Sequence, residues 1–127
     1  MKRLTREWVA KAEQDFAAAE DLARRQKVPL PDSVCFHCQQ CVEKYLKARL
    51  QEAGIPFPKT HSLWTLLDLL LPVEPGWKSF RPALKSLSIY AVDFRYPGTA
   101  ATLAQARLSL ATSRTFRKAA RRSLGLL

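Results

Sequence analysis

The sequence predicts an all-α protein, an up-and-down bundle of four long helices plus one short helix. Apolar residues recur at helical spacing in several stretches, and the strict alternation that is typical of strands is absent. Prolines divide the chain into five such segments, at Pro29 and Pro31, Pro56 and Pro58, Pro72 and Pro75, and Pro97. Because short connections join long helices, successive helices are expected to pack antiparallel. The 127 residues suit one domain spanning 1–127.

The first two helices are predicted over about 5–26 and 33–53. Thr5 is the candidate N-cap of the first helix, and Asp15 lies at the edge of its apolar stripe of Trp8, Ala12, Phe16 and Ala19. The second helix follows Asp32 and stops at Gly54, residue types that favour a helix start and a helix end. Its predicted core line is Val34, Cys38, Cys41, Tyr45 and Ala48.

The remaining three helices are predicted over about 61–71, 79–95 and 99–123. In the fourth segment, apolar residues step by three and four positions, at Trp77, Phe80, Leu84, Leu87, Ala91 and Phe94. Pro82 then falls in the first turn, where a missing N–H costs nothing. Pro97 disfavours helical geometry in the residue before it, and Thr99 is the candidate cap of the fifth helix.

Positive charge is concentrated near the C-terminus. The chain has 21 Lys and Arg against 11 Asp and Glu, a net charge of +10, and no acidic residue follows Asp93. On a fifth helix, one face would present a basic surface of Arg107, Arg114, Arg117, Lys118 and Arg121. The predicted core stripe opposite consists of Leu108, Thr112, Phe116 and Ala119. Such a surface attracts a polyanion or an acidic partner, or is simply a solvated face.

The three cysteines are expected to pack in the core and to bind no metal. Cys35, Cys38 and Cys41 flank His37, a grouping that could suggest zinc. On a helix, however, residues three apart are offset by about 60° and do not converge on one ion. An odd number of cysteines argues against a disulfide framework and favours a reducing cytoplasm. No apolar run has the length of a membrane span, and nothing in the sequence indicates a cofactor.

Seven polar residues are candidates for ligand binding. They are Gln40, Lys44 and Lys47 in the second helix, His61 at the start of the third, and Asp93, Arg95 and Tyr96 at the end of the fourth. Backbone N–H groups at a helix start favour an anion, and histidine changes its charge near neutral pH. Each group also has a structural interpretation: a salt-bridged helix surface, a hydrogen-bonding histidine, or a buried ion pair of Arg95 with Asp15 or Asp93.

Together these segments resemble the HEPN family, the "higher eukaryotes and prokaryotes nucleotide-binding" domain. The resemblance covers about residues 5–120 and rests on four motifs: the Trp8 to Ala19 stripe, the run from Cys35 to Ala48, Pro58-Lys59-Thr60-His61-Ser62-Leu63, and Arg95-Tyr96-Pro97. It implies a bundle of four to five helices, usually a homodimer. Such proteins are often encoded beside a minimal nucleotidyltransferase, as its nucleotide- or substrate-binding partner or as half of a toxin–antitoxin pair.

Many members of the family are metal-independent ribonucleases with an Arg-x(4–6)-His motif late in the fold. This chain departs from that pattern, since its only histidines, His37 and His61, precede Arg95. We therefore expect a non-catalytic HEPN module that binds a nucleotide, RNA or a nucleotidyltransferase partner. The alternatives are an endoribonuclease that uses His61 and Arg95, and a structural homodimerisation protein.

Overall fold

The computed structural model describes residues 1–91, 94 and 96–127, and these residues form five α-helices and no strand. The helices are α1 (Arg3–Ala23), α2 (Pro31–Ala53), α3 (Leu63–Leu70), α4 (Arg81–Ser88) and α5 (Leu103–Ser123). Short 3₁₀ helices, Pro75–Phe80 and Ile89–Ala91, flank α4. The predicted all-α class is confirmed. None of the helices in this part of the chain combines the length and the apolar character that crossing a bilayer requires.

The central element is α2, which packs against α1, α3, α4 and α5. Its predicted core line is confirmed, because Val34, Cys38, Cys41, Tyr45 and Ala48 are all buried. The helix ends as expected at Gly54, whose φ of 70° places it in the left-handed region that closes many helices. From the facing side, α1 contributes Ala12, Phe16 and Ala19 to the same core.

The fourth element is less regular than the helix predicted over 79–95. Among the described residues of that range only Arg81–Ser88 is α-helical, and a 3₁₀ helix beginning at Pro75 precedes it. Pro82 explains the boundary, because its ring clashes with the carbonyl four residues earlier and restricts it to the first turn of an α-helix. The apolar spacing survives the change, and Trp77, Leu84 and Leu87 are buried.

Three of the predicted N-caps are wrong. Helix α2 begins at Pro31 with Leu30 at the cap position, so Asp32 lies in the first turn of the helix and does not cap it. Helix α1 begins at Arg3, so Thr5 lies inside it, buried, and donates a hydrogen bond to Oε1 of Glu52 at 2.9 Å. Helix α5 is capped by Thr102, not Thr99: its hydroxyl accepts from the Gln105 amide at 3.0 Å, and Oε1 of Gln105 accepts from the Thr102 amide at 2.8 Å. Only Thr102 has a glutamine three residues on, and this completes a capping box.

The face that α5 turns to the core also differs from the prediction. Leu108 is 63% exposed, and Thr112 and Ala119 are only partly buried; Phe116 alone of the predicted stripe is fully buried. The buried face contains two large residues, Leu110 and Phe116. Its other members are small, namely Ala106, Ser109, Ser113 and Ala120. Small side chains allow α5 to lie close to α2, where the hydroxyl of Ser109 is 3.5 Å from Sγ of Cys35. The apolar pattern missed this face because serine does not count as apolar.

Candidate functional site

A buried carboxylate, Glu43, organises the polar residues on one side of α2. Glu43 is 3% exposed and accepts hydrogen bonds from four side chains. Nζ of Lys47 lies 3.0 Å from Oε2, and Nδ1 of His61 lies 2.9 Å from Oε1. The amide nitrogens of Gln39 and Gln40 approach Oε1 at 3.3 Å and 3.5 Å. Because an ionised carboxylate only accepts, Nδ1 of His61 is the donor and its ring is held in one orientation.

The backbone of His61 is fixed as firmly as its ring. Its carbonyl oxygen accepts from the Gln39 amide and from the Ser88 hydroxyl, both at 3.0 Å. The Ser88 hydroxyl in turn accepts from the Leu63 amide at 2.9 Å. The side chain of His61 is 65% exposed, and its Nε2 has no hydrogen-bond partner among the described residues. The site therefore presents an imidazole to solvent from a rigid base.

The start of α3 is less open to an anion than the sequence suggested. The Leu63 amide donates to Ser88, the Ser62 amide donates to the Thr60 hydroxyl at 3.0 Å, and the Thr65 amide donates to the Ser62 hydroxyl at 3.3 Å. These N–H groups are already used within the protein. An anion at this place would therefore bind mainly through the His61 side chain.

A second buried carboxylate, Asp15 of α1, holds Lys44. Nζ of Lys44 lies 2.5 Å from Oδ2 of Asp15, and Nδ1 of His37 lies 2.8 Å from Oδ1. Asp15 is 8% exposed. His37 and Asp15 are not among the predicted site residues, because the pair is separated by 22 positions and has no local signature in the sequence. The intrusion of Asp15 into an apolar stripe was the one available signal.

The predicted ligand-binding residues thus fall into four groups. Gln40, Lys47 and His61 meet at Glu43, whereas Lys44 is bound to Asp15. Tyr96 is 64% exposed and makes no hydrogen bond to the described residues. Asp93 and Arg95 lie outside the described residues.

Carboxylates of α1 cover much of the predicted basic surface of α5. Arg117 forms a two-point ion pair with Glu13, with both N···O distances 2.7 Å, and Arg114 pairs with Glu20 at 3.0 Å. Arg107 and Lys118 are exposed and form no ion pair with a described residue. An open groove of about 820 Å³ runs between α1 and α5 along Arg114, Arg117 and Lys118.

The centre of this α1–α5 contact is Glu13. Besides Arg117, it has Arg121 at 3.8 Å and accepts a hydrogen bond from the Tyr45 hydroxyl, which itself accepts from Arg121 at 3.2 Å. The hydrogen bonds from Arg117 hold the pKa of Glu13 below its usual value, and the same contact raises the pKa of Arg117. Burial raises the pKa of Tyr45. Three of the five predicted surface cations are therefore engaged within the protein.

The three cysteines pack in the core, as predicted. Each is completely buried, and burial raises the pKa of Cys38 to about 12 and also raises the pKa values of Cys35 and Cys41. Protonated thiols in such surroundings are small apolar packing groups.

Comparison with known proteins identifies the family. A family model described as "HEPN domain" matches residues 5–123, which include Glu43 and Asp15 with their partners and all of α5. This chain belongs to the HEPN family. The HEPN domain is 33% identical over 96 residues to a protein of Methanocaldococcus jannaschii named "Putative toxin MJ1304". The aligned region covers 71% of this chain and 61% of that protein, so the chain spans less than two thirds of this relative. No solved structure matches the chain.

Proposed function

We propose that this HEPN protein is a non-catalytic module that binds the phosphate group of a nucleotide or of an RNA segment at His61. The supporting observation is the exposed imidazole that buried Glu43 holds at Nδ1, leaving Nε2 without a described partner. A protonated imidazole in this position donates a charge-assisted hydrogen bond to a phosphate oxygen. Lys47 compensates the charge of Glu43 at 3.0 Å, so the carboxylate repels an incoming anion less.

Binding without cleavage is preferred because RNA hydrolysis by acid–base catalysis needs a second group that transfers a proton. The other histidine, His37, is bound to a different carboxylate, Asp15. The late Arg-x(4–6)-His motif of the ribonucleases in this family is absent from the sequence.

Titration of fluorescein-labelled single-stranded RNA and of nucleoside triphosphates, followed by fluorescence anisotropy and calorimetry, tests this proposal. We expect His61→Ala to weaken binding about ten-fold, the loss of one charge-assisted hydrogen bond. The matched control is His37→Ala, which removes the same side chain from the other carboxylate and should change affinity by less than about two-fold. Absence of binding to both ligand classes, or equal binding by the His61→Ala protein, would contradict the proposal.

Metal-independent RNA cleavage is the second candidate function. It is favoured by the Glu43–His61 pair, since a carboxylate at Nδ1 orients an imidazole for proton transfer through Nε2. The name of the archaeal relative, which describes a toxin, points in the same direction. If RNA is cleaved by the wild-type protein, and His61→Ala and Arg95→Ala both abolish cleavage while His37→Ala does not, this candidate replaces the first.

We further propose that the protein is a homodimer and acts in the cytoplasm within a toxin–antitoxin-type pair, with a nucleotidyltransferase as its protein partner. An uncharged strip on the outside of α5 supports the homodimer. The strip consists of four exposed residues, Ala104, Leu108, Ala111 and Thr115. A strip without charge suits contact between two copies of a basic chain, because it brings no like charges together.

Co-purification with the product of the adjacent gene tests whether a nucleotidyltransferase is the protein partner. A dimer that binds neither RNA nor nucleotide would favour a purely structural role.

A further inference from the structure

A small apolar pocket lies where the end of α1, the connection to α2 and the first half of α5 meet. Its walls include Leu22, Leu30, Val34, Leu103 and Leu110, and its volume is about 190 Å³. Pockets for complete small-molecule ligands measure roughly 300–1,000 Å³. The space in this pocket therefore suits one large side chain and not a whole ligand. We call it the Leu22 pocket.

The mouth of the Leu22 pocket carries positive charge that no described residue compensates. Arg25 and Arg107 line the pocket, and Lys27 follows in the same connection. All three side chains are exposed and form no ion pair within the described part of the chain.

The two acidic residues that flank this connection in the sequence, Asp21 and Asp32, bind other groups. Asp21 binds Arg24 at 2.8 Å, and Oδ1 of Asp32 accepts from the Ala101 amide at 2.6 Å. Neither aspartate forms an ion pair with Arg25, Lys27 or Arg107, so the positive charge of these three side chains is available to an outside partner.

Apolar surface also continues outward from the pocket. Leu103 is 49% exposed, and Val28, next to the pocket residue Pro29, is 71% exposed. A pocket for one apolar side chain, surrounded by exposed apolar residues and unpaired cations, is typical of an anchor site in a protein interface.

We infer that the Leu22 pocket docks an acidic segment of a partner protein, which inserts one large apolar side chain between α1 and α5. Asp and Glu residues on either side of this anchor complement Arg25, Lys27 and Arg107, while the anchor fills the apolar interior. RNA is a poorer fit, because the pocket lining contains no aromatic ring on which a base could stack. The inference is independent of the proposed role of His61.

The probe is a short synthetic peptide of Glu and Asp around a single Phe, labelled with fluorescein and titrated with the full chain. We expect it to bind with a dissociation constant below about 1 mM. Replacing the Phe by Ser should weaken binding about ten-fold, since burial of the ring is lost. Arg25→Glu and Arg107→Glu should each weaken it about five-fold or more, because each reverses a complementary charge.

The matched control for charge is Arg122→Glu, which makes the same change on α5 about 22 Å further along the helix. It should leave the affinity within about two-fold. Ala23→Phe fills the mouth from an exposed position on the pocket lining and should remove the advantage of the Phe peptide over the Ser peptide.

Three results would overturn the inference. The first is no peptide binding at about 1 mM protein, and the second is equal affinity for the Phe and Ser peptides. The third is an equal loss of affinity in Arg107→Glu and Arg122→Glu, which would indicate unspecific attraction of the peptide to a basic protein. Labelled oligouridylate is titrated in parallel; if Arg25→Glu and Ala23→Phe weaken its binding and leave peptide binding unchanged, the site serves nucleic acid instead.

Discussion

Glu43→Ala is the substitution that tests the polar centre of the site most directly. Glu43 and Lys47 form an ion pair with side-chain exposures of only 4% and 10%. Removing the carboxylate leaves the lysine charge buried without its partner, and it also removes an acceptor used by His61, Gln39 and Gln40. Loss of one member of a buried ion pair costs about 3–5 kcal/mol. Since a domain of this kind is stable by only about 5–15 kcal/mol, the variant should lose a large part of its free energy of unfolding.

Urea unfolding followed by tryptophan fluorescence measures this loss. Trp8 is a suitable reporter, because Nζ of Lys47 lies 5.5 Å from its ring centroid. We expect the free energy of unfolding from these urea curves to fall by about 3–5 kcal/mol. In a separate thermal scan, the unfolding midpoint should fall by about 10 °C or more. The matched control is Glu7→Ala, whose carboxylate pairs with Arg3 on the exposed surface at 3.5 Å and should contribute less than about 1 kcal/mol.

A double variant separates the charge effect from the loss of contacts. With Glu43→Leu and Lys47→Met together, no buried charge is left unpaired, and most of the lost stability should return. A loss below about 1 kcal/mol for Glu43→Ala, or a double variant no more stable than the single one, would refute the reasoning.

Three further predictions concern other parts of the molecule. Hydrogen bonds from Arg117 lower the pKa of Glu13 in the folded state, so the stability that Glu13 contributes is lost as the pH falls through that lowered value. Between about pH 6 and pH 3, the midpoint of urea unfolding should therefore drop less for Glu13→Gln than for the wild type. Cys38, with a pKa of about 12, should react with Ellman's reagent at about pH 8 at least 1,000-fold more slowly than in denaturant; a rapid reaction of the native protein would contradict its burial. Leu108→Glu should convert the proposed dimer to a monomer in sedimentation experiments with unchanged helix content, and a wild-type monomer would remove the basis of this prediction.

The fold was largely predictable because its helices follow local rules. The core line of α2 repeats at helical spacing and is buried at every predicted position, and Gly54 ends the helix as its freedom at positive φ predicts. The face of α5 was not predictable in this way. Its buried serines contact the cysteines of α2, and only the packed bundle shows that small residues are needed there.

The candidate site was predictable only in part, for a related reason. The spacing of Gln40, Glu43 and Lys47 is a local feature of one helix. The pairs that give the site its chemistry are distant in sequence: Glu43 with His61 across 18 positions, and Asp15 with His37 across 22. The pairing of Glu13 with Arg117 spans 104 positions and turned a predicted basic surface into a surface of mixed charge.

The two hydrogen bonds that the His61 carbonyl oxygen accepts determine which elements of this protein unfold together. Gln39 of α2 and Ser88 at the end of α4 both donate to that one oxygen, and Ser88 also holds the first amide of α3. Detaching the connection between α2 and α3 while α4 stays docked therefore breaks both hydrogen bonds to this oxygen, which couples the two openings. In native-state hydrogen exchange, the amides of Leu63 and of α4 should share one opening free energy, as a single cooperative unit that is distinct from the α1–α2 pair.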